Sequence, residues 1–386
     1  MTFAALALIM AAGLVGPVLA SAHRFAPPVI VGEIAAGVTI GKSGFAWVDP
    51  ANPLLNGLAN IGFALLMFVV GTHLPVRDRQ LRAALVAGAA VAATVGALAA
   101  GAGLLLAPVV GLARPAILAV VLSTSSGAVA LPILQGLGRS DHHALVTMAW
   151  IAIADVATVL ALPLVLATGG LLRVVSGGVL VVAAGGVLLV LAELARGWVW
   201  LQRMRRLSRE RGWGLDLRVS LLALFTCAWL ATRFGTSILL AGFTVGTVVA
   251  LLGEPRRVAQ QLLGIGEGFA IPLFFVHLGT QIDLGALLTS SRALALAGAL
   301  ATAAIAVHVA AALVWRLPLG MGFVASAQLG VPSAVVSIGL ATNQLTPAQG
   351  AAIMAALLIS LAACAVGASV LGEGGPLTDA SAPVVL

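Results

Sequence analysis

The sequence predicts an all-α polytopic membrane protein of about thirteen transmembrane helices, built as two inverted-topology repeats with crossed broken helices. Three observations predict it. Of 386 residues, 61% are hydrophobic and only 9% are charged, with a mean hydropathy of +1.13; soluble domains carry about 25% charged residues. The apolar residues fall in long runs separated by short, mostly basic loops. Short motifs in the early runs return in the same order roughly 203 to 210 positions later.

The apolar runs are residues 2–20, 28–41, 54–74, 83–110, 115–136, 144–168, 174–197, 217–233, 236–252, 259–280, 294–315, 318–341 and 348–371. Twenty helical residues rise about 30 Å, the apolar thickness of a bilayer. Residues 1–22 end in "VLASA", similar to a signal-peptidase site, but no positive segment leads the run, so 2–20 reads as a first span. With thirteen spans, Lys42, Arg114, Arg173, Arg233 and Arg292 share a side with the N-terminus, and the other fifteen basic residues lie opposite. The positive-inside rule then places the N-terminus outside and the C-terminus in the cytoplasm. The net charge of +7 is thereby absorbed as topology, and a nucleic-acid partner is excluded. Cys227 and Cys364 lie inside apolar runs and read as buried free thiols.

The recurring motifs define the repeat. "IVGEIAAGV" in the second span answers "LAGFTVGTV" in the ninth. "GFALLMFVVGTHL" from Gly62 in the third span answers "GFAIPLFFVHLGTQI" from Gly268 in the tenth, with two gap residues. "SGAVALP" in the fifth answers "LGVPSAV" in the twelfth. Matched spans differ by seven in order, an odd number, so the halves cross the membrane in opposite senses. The expected organisation is a first repeat of six spans over 1–173, a connecting span over 174–200, a second repeat over 201–372 and a short cytoplasmic tail over 373–386. Inverted repeats are typical of secondary transporters, whose sites lie near the midplane at broken helices.

Two spans carry the composition of a broken helix. The fifth, "AVVLSTSSGAVALPILQGLG", has Ser123, Thr124, Ser125, Ser126 and Gly127 mid-span, with Pro132 following. The twelfth, "GFVASAQLGVPSAVVSIG", has Gln328, Gly330, Pro332 and Ser333 mid-span. Proline removes a backbone donor, and unwound backbone is tolerated in a membrane where it is buried or lines a cavity. A kinked packing helix with Ser and Gly at close contacts is the plainer reading of either segment alone. Matching positions in opposed repeats favour a binding site.

The sixth span, "TMAWIAIADVATVLALPLVL" over Thr147–Leu166, contains one charge, Asp155. A carboxylate mid-span costs about 3 kcal/mol by insertion scales. Beside half-helix ends of opposite polarity it gains a use, because it holds either a proton or a cation. Joined by hydroxyl and carbonyl oxygens, a carboxylate suits a hard monovalent cation. Asp155 and Thr124 are therefore the expected metal ligands, with Ser125 and Ser123 beside them, and Ser126, Gly127, Gln328, Gly330 and Ser333 lining the breaks.

With these residues in hand, the chain resembles the monovalent cation/proton antiporter superfamily in its bacterial CPA2-like branch. "PPVIVGEIAAGVTIGKSG", "IGFALLMFVVGTHL", "STSSGAVALPIL", "IADVATVLAL" and "IPLFFVHLGTQIDL" occur in the family's order across nearly the whole chain. The resemblance implies exchange of H⁺ for Na⁺ or K⁺ across a bacterial inner membrane without a cofactor. It implies a homodimer in membrane lipid, and an elevator-type motion of a core built from spans four to six and eleven to thirteen. Asp155 matches the second acidic position of the family's pair, the one that binds the ion or proton. Ala154 stands at the first position, where electrogenic members usually carry Asp. The lysine often found in the eleventh span is absent, with His308 at about its depth, and Val331 occupies the approximate place of a further acidic residue in the twelfth. One carboxylate serving two ions in turn implies electroneutral, one-for-one exchange.

Other polar residues carry open readings. His308 is either an ion-pair or pH-sensing partner of Asp155, or a neutral imidazole bridging helices. Glu267 approaches mid-membrane and is a second candidate for regulation or ion entry; Glu33 follows a Pro-Pro helix start and faces a dimer interface or vestibule. "GKSG" at Gly41–Gly44 lacks the earlier glycine of a phosphate loop, Ala36 standing there, and reads as a loop turn. No nucleophile–base set is apparent, so an enzyme is not expected. The rival readings are a Na⁺- or H⁺-coupled organic-anion symporter on the same fold and a non-transporting membrane sensor, the latter needing a signalling domain that the short tail does not offer.

Overall fold

The computed structural model describes residues 3–21, 29–72, 79–110, 114–137, 141–166, 171–195, 197–234, 236–252, 262 and 264–372. The expected tail at 373–386, His73, and the basic positions Arg24, Arg77, Arg139, Arg196, Arg256 and Arg257 lie outside the described residues. The described chain is helical and without strands. Nine of its helical segments are long and apolar enough to cross a membrane, and Val29–Ile40 and Ile238–Leu252 are shorter apolar helices.

In chain order, α1 is Phe3–Gly13, α2 Val15–Ser21, α3 Val29–Ile40, α4 Pro53–Thr72 and α5 Arg79–Val110. The fifth expected span is divided into α6, Pro115–Ser123, and α7, Gly127–Gly136. There follow α8, His142–Val165, α9, Leu171–Ala195, α10, Val199–Glu210, α11, Leu215–Arg233, and α12, Ile238–Leu252. A π-helical turn over Gly266–Ala270 leads into α13, Ile271–Gln281, then α14, Leu284–Leu288, and α15, Ser291–Val314. The twelfth expected span is also divided, into α16, Leu319–Ala325, and α17, Gly330–Ala341, before α18, Pro347–Gly372. The first expected span breaks into α1 and α2, a division not anticipated from its apolar run.

The chain forms two compact units. The first comprises Met1–Asn56, Asp78–Leu166 and Phe275–Leu386, the second Gly57–Arg77 and Ala167–Phe274. In the first, α5 packs along α6 and α8, and α18 packs along α15 and α16. Its core is filled by aliphatic side chains with Trp150 fully buried among them. The second holds α9, α11 and α12 against one another, and Phe63 stacks on Phe274 with ring centroids 4.8 Å apart.

Helix crossings inside each unit follow the same rule. In the first, Gly279 of α13 faces α3 so closely that an added Cβ would lie 2.9 Å from Gly37 Cα. In the second, an added Cβ on Gly246 of α12 would lie 3.0 Å from Gly71 Cα of α4. Without driving force from water, membrane helices associate through such small-residue contacts. Gly279 and Gly71 occupy matching places in the tenth- and third-span motifs. The pairing of spans two with ten therefore has its counterpart in nine with three.

A loop after α3 closes one end of the first unit. Lys42 Nζ lies 3.0 Å from Asp283 Oδ2, and Asp283 Oδ1 accepts from Ala286 N at 2.8 Å as the N-cap of α14. The "GKSG" segment is a turn held by that pair and by Ser43 Oγ, which accepts from Leu284 N at 2.8 Å.

Candidate functional site

The two helix breaks touch. At the first, Thr124 adopts an extended backbone, φ −71° and ψ 130°. Hydroxyls in this stretch bond to nearby backbone and so compete with the helix. Thr124 Oγ1 donates to Val120 O at 2.7 Å and Ser123 Oγ to the same carbonyl at 3.2 Å. At the second, Leu329 has φ −150° and ψ −76°, outside helical values. Ser126 N donates to Ala327 O at 2.7 Å, joining break to break through the main chain. Gln328 Nε2 donates to Val121 O at 2.7 Å, a carbonyl at the end of α6 that otherwise accepts only a long bond from Thr124 N at 3.4 Å among the described residues. Gln328 N in turn donates to Ser360 Oγ of α18 at 3.2 Å. Ser333 Oγ donates to Leu329 O at 2.6 Å beside Gly330, the first residue of α17.

Asp155 reaches this junction from α8. Its Oδ2 accepts from the main-chain N–H of Gly127 at 3.0 Å. Gly127 is the first residue of α7, so the carboxylate sits at a helix N-terminus, where unpaired amides and the helix dipole favour an anion. Among the described residues, no cationic side chain pairs with Asp155, and no group of three His, Cys, Asp or Glu is placed to hold a metal ion. Asp155 is half-buried, Thr124 is 1% exposed and Ser125 is fully buried.

His308 is engaged elsewhere. Its Nδ1 lies 2.7 Å from Ala304 O, and since a carbonyl only accepts, Nδ1 carries the hydrogen. In the neutral ring Nε2 then accepts from Ser125 Oγ, 3.2 Å away. The imidazole also stacks on Trp150 of α8, with centroids 5.7 Å apart. His308 thus meets the residue five positions before Asp155 and not Asp155 itself. Glu267 is half-buried within the π-helical turn, a helix irregularity frequent at functional sites; it belongs to the second unit, whereas Asp155 belongs to the first.

Several supporting residues had no clear sequence signal. Trp150 is one aromatic residue in an apolar run, and Ser360 a lone hydroxyl in another. Arg114 Nη1 lies 3.3 Å from Val165 O and 3.4 Å from Gln344 Oε1, while Gln344 Nε2 donates to Leu166 O at 3.2 Å. These contacts tie the start of α6 and the segment after α17 to the end of α8. A mid-span Ser or Gln is the signal that would have found Ser360; Arg114 and Gln344 are ordinary loop residues in the sequence.

The model of the family described as sodium/hydrogen exchanger, transmembrane, matches residues 7–378. The chain belongs to that family. This exchanger-family chain is 26% identical to YjbQ of Bacillus subtilis (strain 168), over 93% of itself and 61% of that protein. It is 27% identical to the glutathione-regulated potassium-efflux system protein KefC of Klebsiella pneumoniae (strain 342), over 74% of itself and 46% of that protein. The chain therefore spans about half to three-fifths of these relatives' length. In fold it is similar to the sodium proton antiporter MjNhaP1 from Methanocaldococcus jannaschii, with a TM-score of 0.66, 16% identity, and 96% and 97% of the two chains covered.

Proposed function

We propose that this chain exchanges a monovalent cation for a proton, with Asp155 binding H⁺ and Na⁺ or K⁺ in turn. The observation that carries the reading is the Gly127 N–H to Asp155 Oδ2 bond at 3.0 Å. It anchors a membrane-embedded carboxylate at the N-terminus of a half-helix while leaving its other oxygen for an ion. Thr124 and Ser123 spend their hydroxyl hydrogens on Val120 O, so their oxygens keep lone pairs for a cation. Ser125 is turned towards His308 and is the weakest of the expected ligands.

Charge balance supplies the coupling. Asp155 carrying a proton is neutral, and Asp155 carrying one monovalent cation is neutral. The empty site is an anion whose passage through the apolar layer costs several kcal/mol. Only loaded forms cross, one ion for the other, and neither loaded form moves net charge. With Ala154 beside Asp155 and His308 bonded to Ser125, no second ionisable side chain bonds Asp155 among the described residues. Exchange is then electroneutral, since each uncompensated charge would add about 2.3 kcal/mol per 100 mV.

The motion is of the elevator type, with the body carrying the two breaks and Asp155 moving as one. The six-span repeats over 1–173 and 201–372 about a connecting span, thirteen spans in all, belong to the same reading. So do a homodimer, a bacterial inner-membrane location, and an external N-terminus with a cytoplasmic C-terminus. Dye dequenching in vesicles of the full chain, with Na⁺, K⁺ and Li⁺ in turn across pH, tests the activity. Repeating it with the potential clamped tests stoichiometry: a rate that follows the potential refutes electroneutral exchange.

A further inference from the structure

Among the described residues, the carboxyl of Glu33 takes no hydrogen bond and no ion pair, although Glu33 is only 3% exposed on α3 within the second apolar run. The matching position of the opposed repeat is Phe243, also buried, so packing at this place in the repeat does not call for an acid. An ionised carboxylate without a partner does not persist in an apolar interior; it takes up a proton instead.

The groups around Glu33 suit a proton better than a metal ion. α3 packs against α1 and α2, and α2 crosses it at glycine. An added Cβ on Gly16 would lie 2.9 Å from Glu33 Cγ, and one on Gly32 would lie 2.6 Å from Gly16 Cα. Pro17 has no N–H to offer Gly13 O, so the α1–α2 break leaves a main-chain acceptor one turn from Gly16. Gly13 is itself buried, with Ile9 and Ala12 of α1. Helices α1 and α2 carry no titratable side chain, and their one hydroxyl, Ser21 Oγ, is exposed and donates to Val18 O at 2.9 Å. α13, which meets α3 at Gly37, carries His277, whose Nε2 lies 3.0 Å from Asn56 Oδ1. A hard cation takes several oxygen ligands, whereas a lone carbonyl takes one O–H.

We propose that Glu33 is a second proton-binding site of this chain, its acid form donating to the main chain left open at the α1–α2 break. It differs from Asp155, which accepts a main-chain N–H and has the Thr124 hydroxyl in the neighbouring break. Glu33 holds a proton and trades it for no metal ion. The proton ties α1 and α2 to α3, and its loss puts an anion into that seam and loosens it. A protonated Glu33 is neutral, so electroneutral exchange at Asp155 is compatible with it, and neither reading depends on the other.

Infrared difference spectra of the full chain in lipid vesicles read the carboxylic-acid C=O stretch. They are recorded in an Asp155→Asn background, so that no outcome bears on exchange at Asp155. A band present at neutral pH, unmoved by Na⁺ or K⁺ and lost when Glu33→Gln is added, is the expected result. Pro17→Ala, which returns an N–H to Gly13 O, is expected to shift that band towards an unbonded acid. Dicyclohexylcarbodiimide, which adds a protonated carboxyl across a C=N bond with no atom lost, is expected to label the Glu33 peptide of the unaltered chain at neutral pH and to lose it as pH rises. That map tests the proton should a variant fail to fold. Because the proton is held in the folded state, the melting midpoint of the unaltered chain should fall more steeply on alkalinisation than that of Glu33→Gln. A band absent at neutral pH, or one removed by Na⁺ or K⁺, overturns the inference, as does an unlabelled Glu33 peptide. A band that Pro17→Ala leaves in place assigns the proton to another acceptor and overturns it too.

Discussion

The carboxylate of Asp155 on α8 accepts the main-chain N–H of Gly127, the first residue of α7, at 3.0 Å. This bond joins an unbroken helix to the middle of a broken one. It makes the position of the carboxylate depend on a backbone break 28 residues earlier in the chain. The predictions begin there.

Asp155→Asn keeps the size and hydrogen-bonding oxygen of the side chain but removes the negative charge that either ion requires. Cation-dependent proton flux in reconstituted vesicles is expected to fall to background. Yield, insertion and melting midpoint stay near those of the unaltered chain. Retained exchange at normal protein levels would refute the role of Asp155.

Gly127→Ala tests the anchor. The added Cβ would lie 3.0 Å from Asp155 Oδ2 and 3.5 Å from Leu131 Cδ1, tight enough to displace the carboxylate. A hydrogen bond to a charged group is worth about 1.5–3 kcal/mol. Apparent cation affinity should therefore weaken on the order of tenfold, with stability changed by no more than about 1 kcal/mol. An unchanged apparent KM for the cation would remove Gly127 from the site.

Gln328→Ala strips the side-chain donor from Val121 O and leaves a buried carbonyl poorly satisfied. The expected cost is about 1–3 kcal/mol, read as a lower melting midpoint in detergent. Both breaks share this contact, so exchange should fall alongside stability. A variant with full stability and full exchange would show that the breaks hold without it.

His308→Gln separates two readings of the imidazole. Glutamine both donates and accepts, so it serves the Ala304 and Ser125 contacts without titrating. Because His308 bonds Ser125 and not Asp155, the pH midpoint of exchange should stay where it is in the unaltered chain. A displaced midpoint would assign His308 a direct electrostatic role.

Asp283 offers a pH test outside the spans. The Ala286 N–H it caps, and then its hydrogen bond to Lys42, hold its carboxyl below the usual value of 3.8. A depressed value means that its contribution is present above 3.8 and is lost as pH falls through the folded-state value. Asp283→Ala is therefore expected to cost about 1 kcal/mol at neutral pH, typical of a lost N-cap. The difference should shrink as both proteins are acidified below the carboxylate range, and melting midpoints across pH check the sign. A difference that grew on acidification would contradict it.

How much was legible in the sequence depends on the kind of signal. Hydropathy marks spans because a bilayer imposes length and polarity on every helix it contains, and helix ends fall within a few residues of the apolar runs. The Ser-Thr-Ser-Ser-Gly and Gln-Leu-Gly-Val-Pro segments mark their own breaks, since hydroxyls, glycine and proline act on the backbone beside them. The division of the first span into α1 and α2 carries the same kind of mark, although its apolar run hides it: Gly13, Gly16 and Pro17 flank Leu14, and Pro17 lacks the N–H that would bond Gly13 O. The expected ligands met different fates. Thr124 and Ser123 hold to Val120 O, Ser125 turns to His308, and Gly127, expected only to line the break, is the residue that bonds Asp155.

The sequence by itself determined that this chain is helical and membrane-embedded, that two of its spans break, and that Asp155 is the charge in its span. Each follows from composition or from residues adjacent in the chain, where the physics is local. Which partners those residues take was decided only in the tertiary structure. His308 lies 183 positions from Ser125, and Gln328 lies 207 from Val121, contacts that depend on how helices pack. No spacing in the sequence encodes them, because an imidazole or an amide bonds whichever buried acceptor the packed helices present.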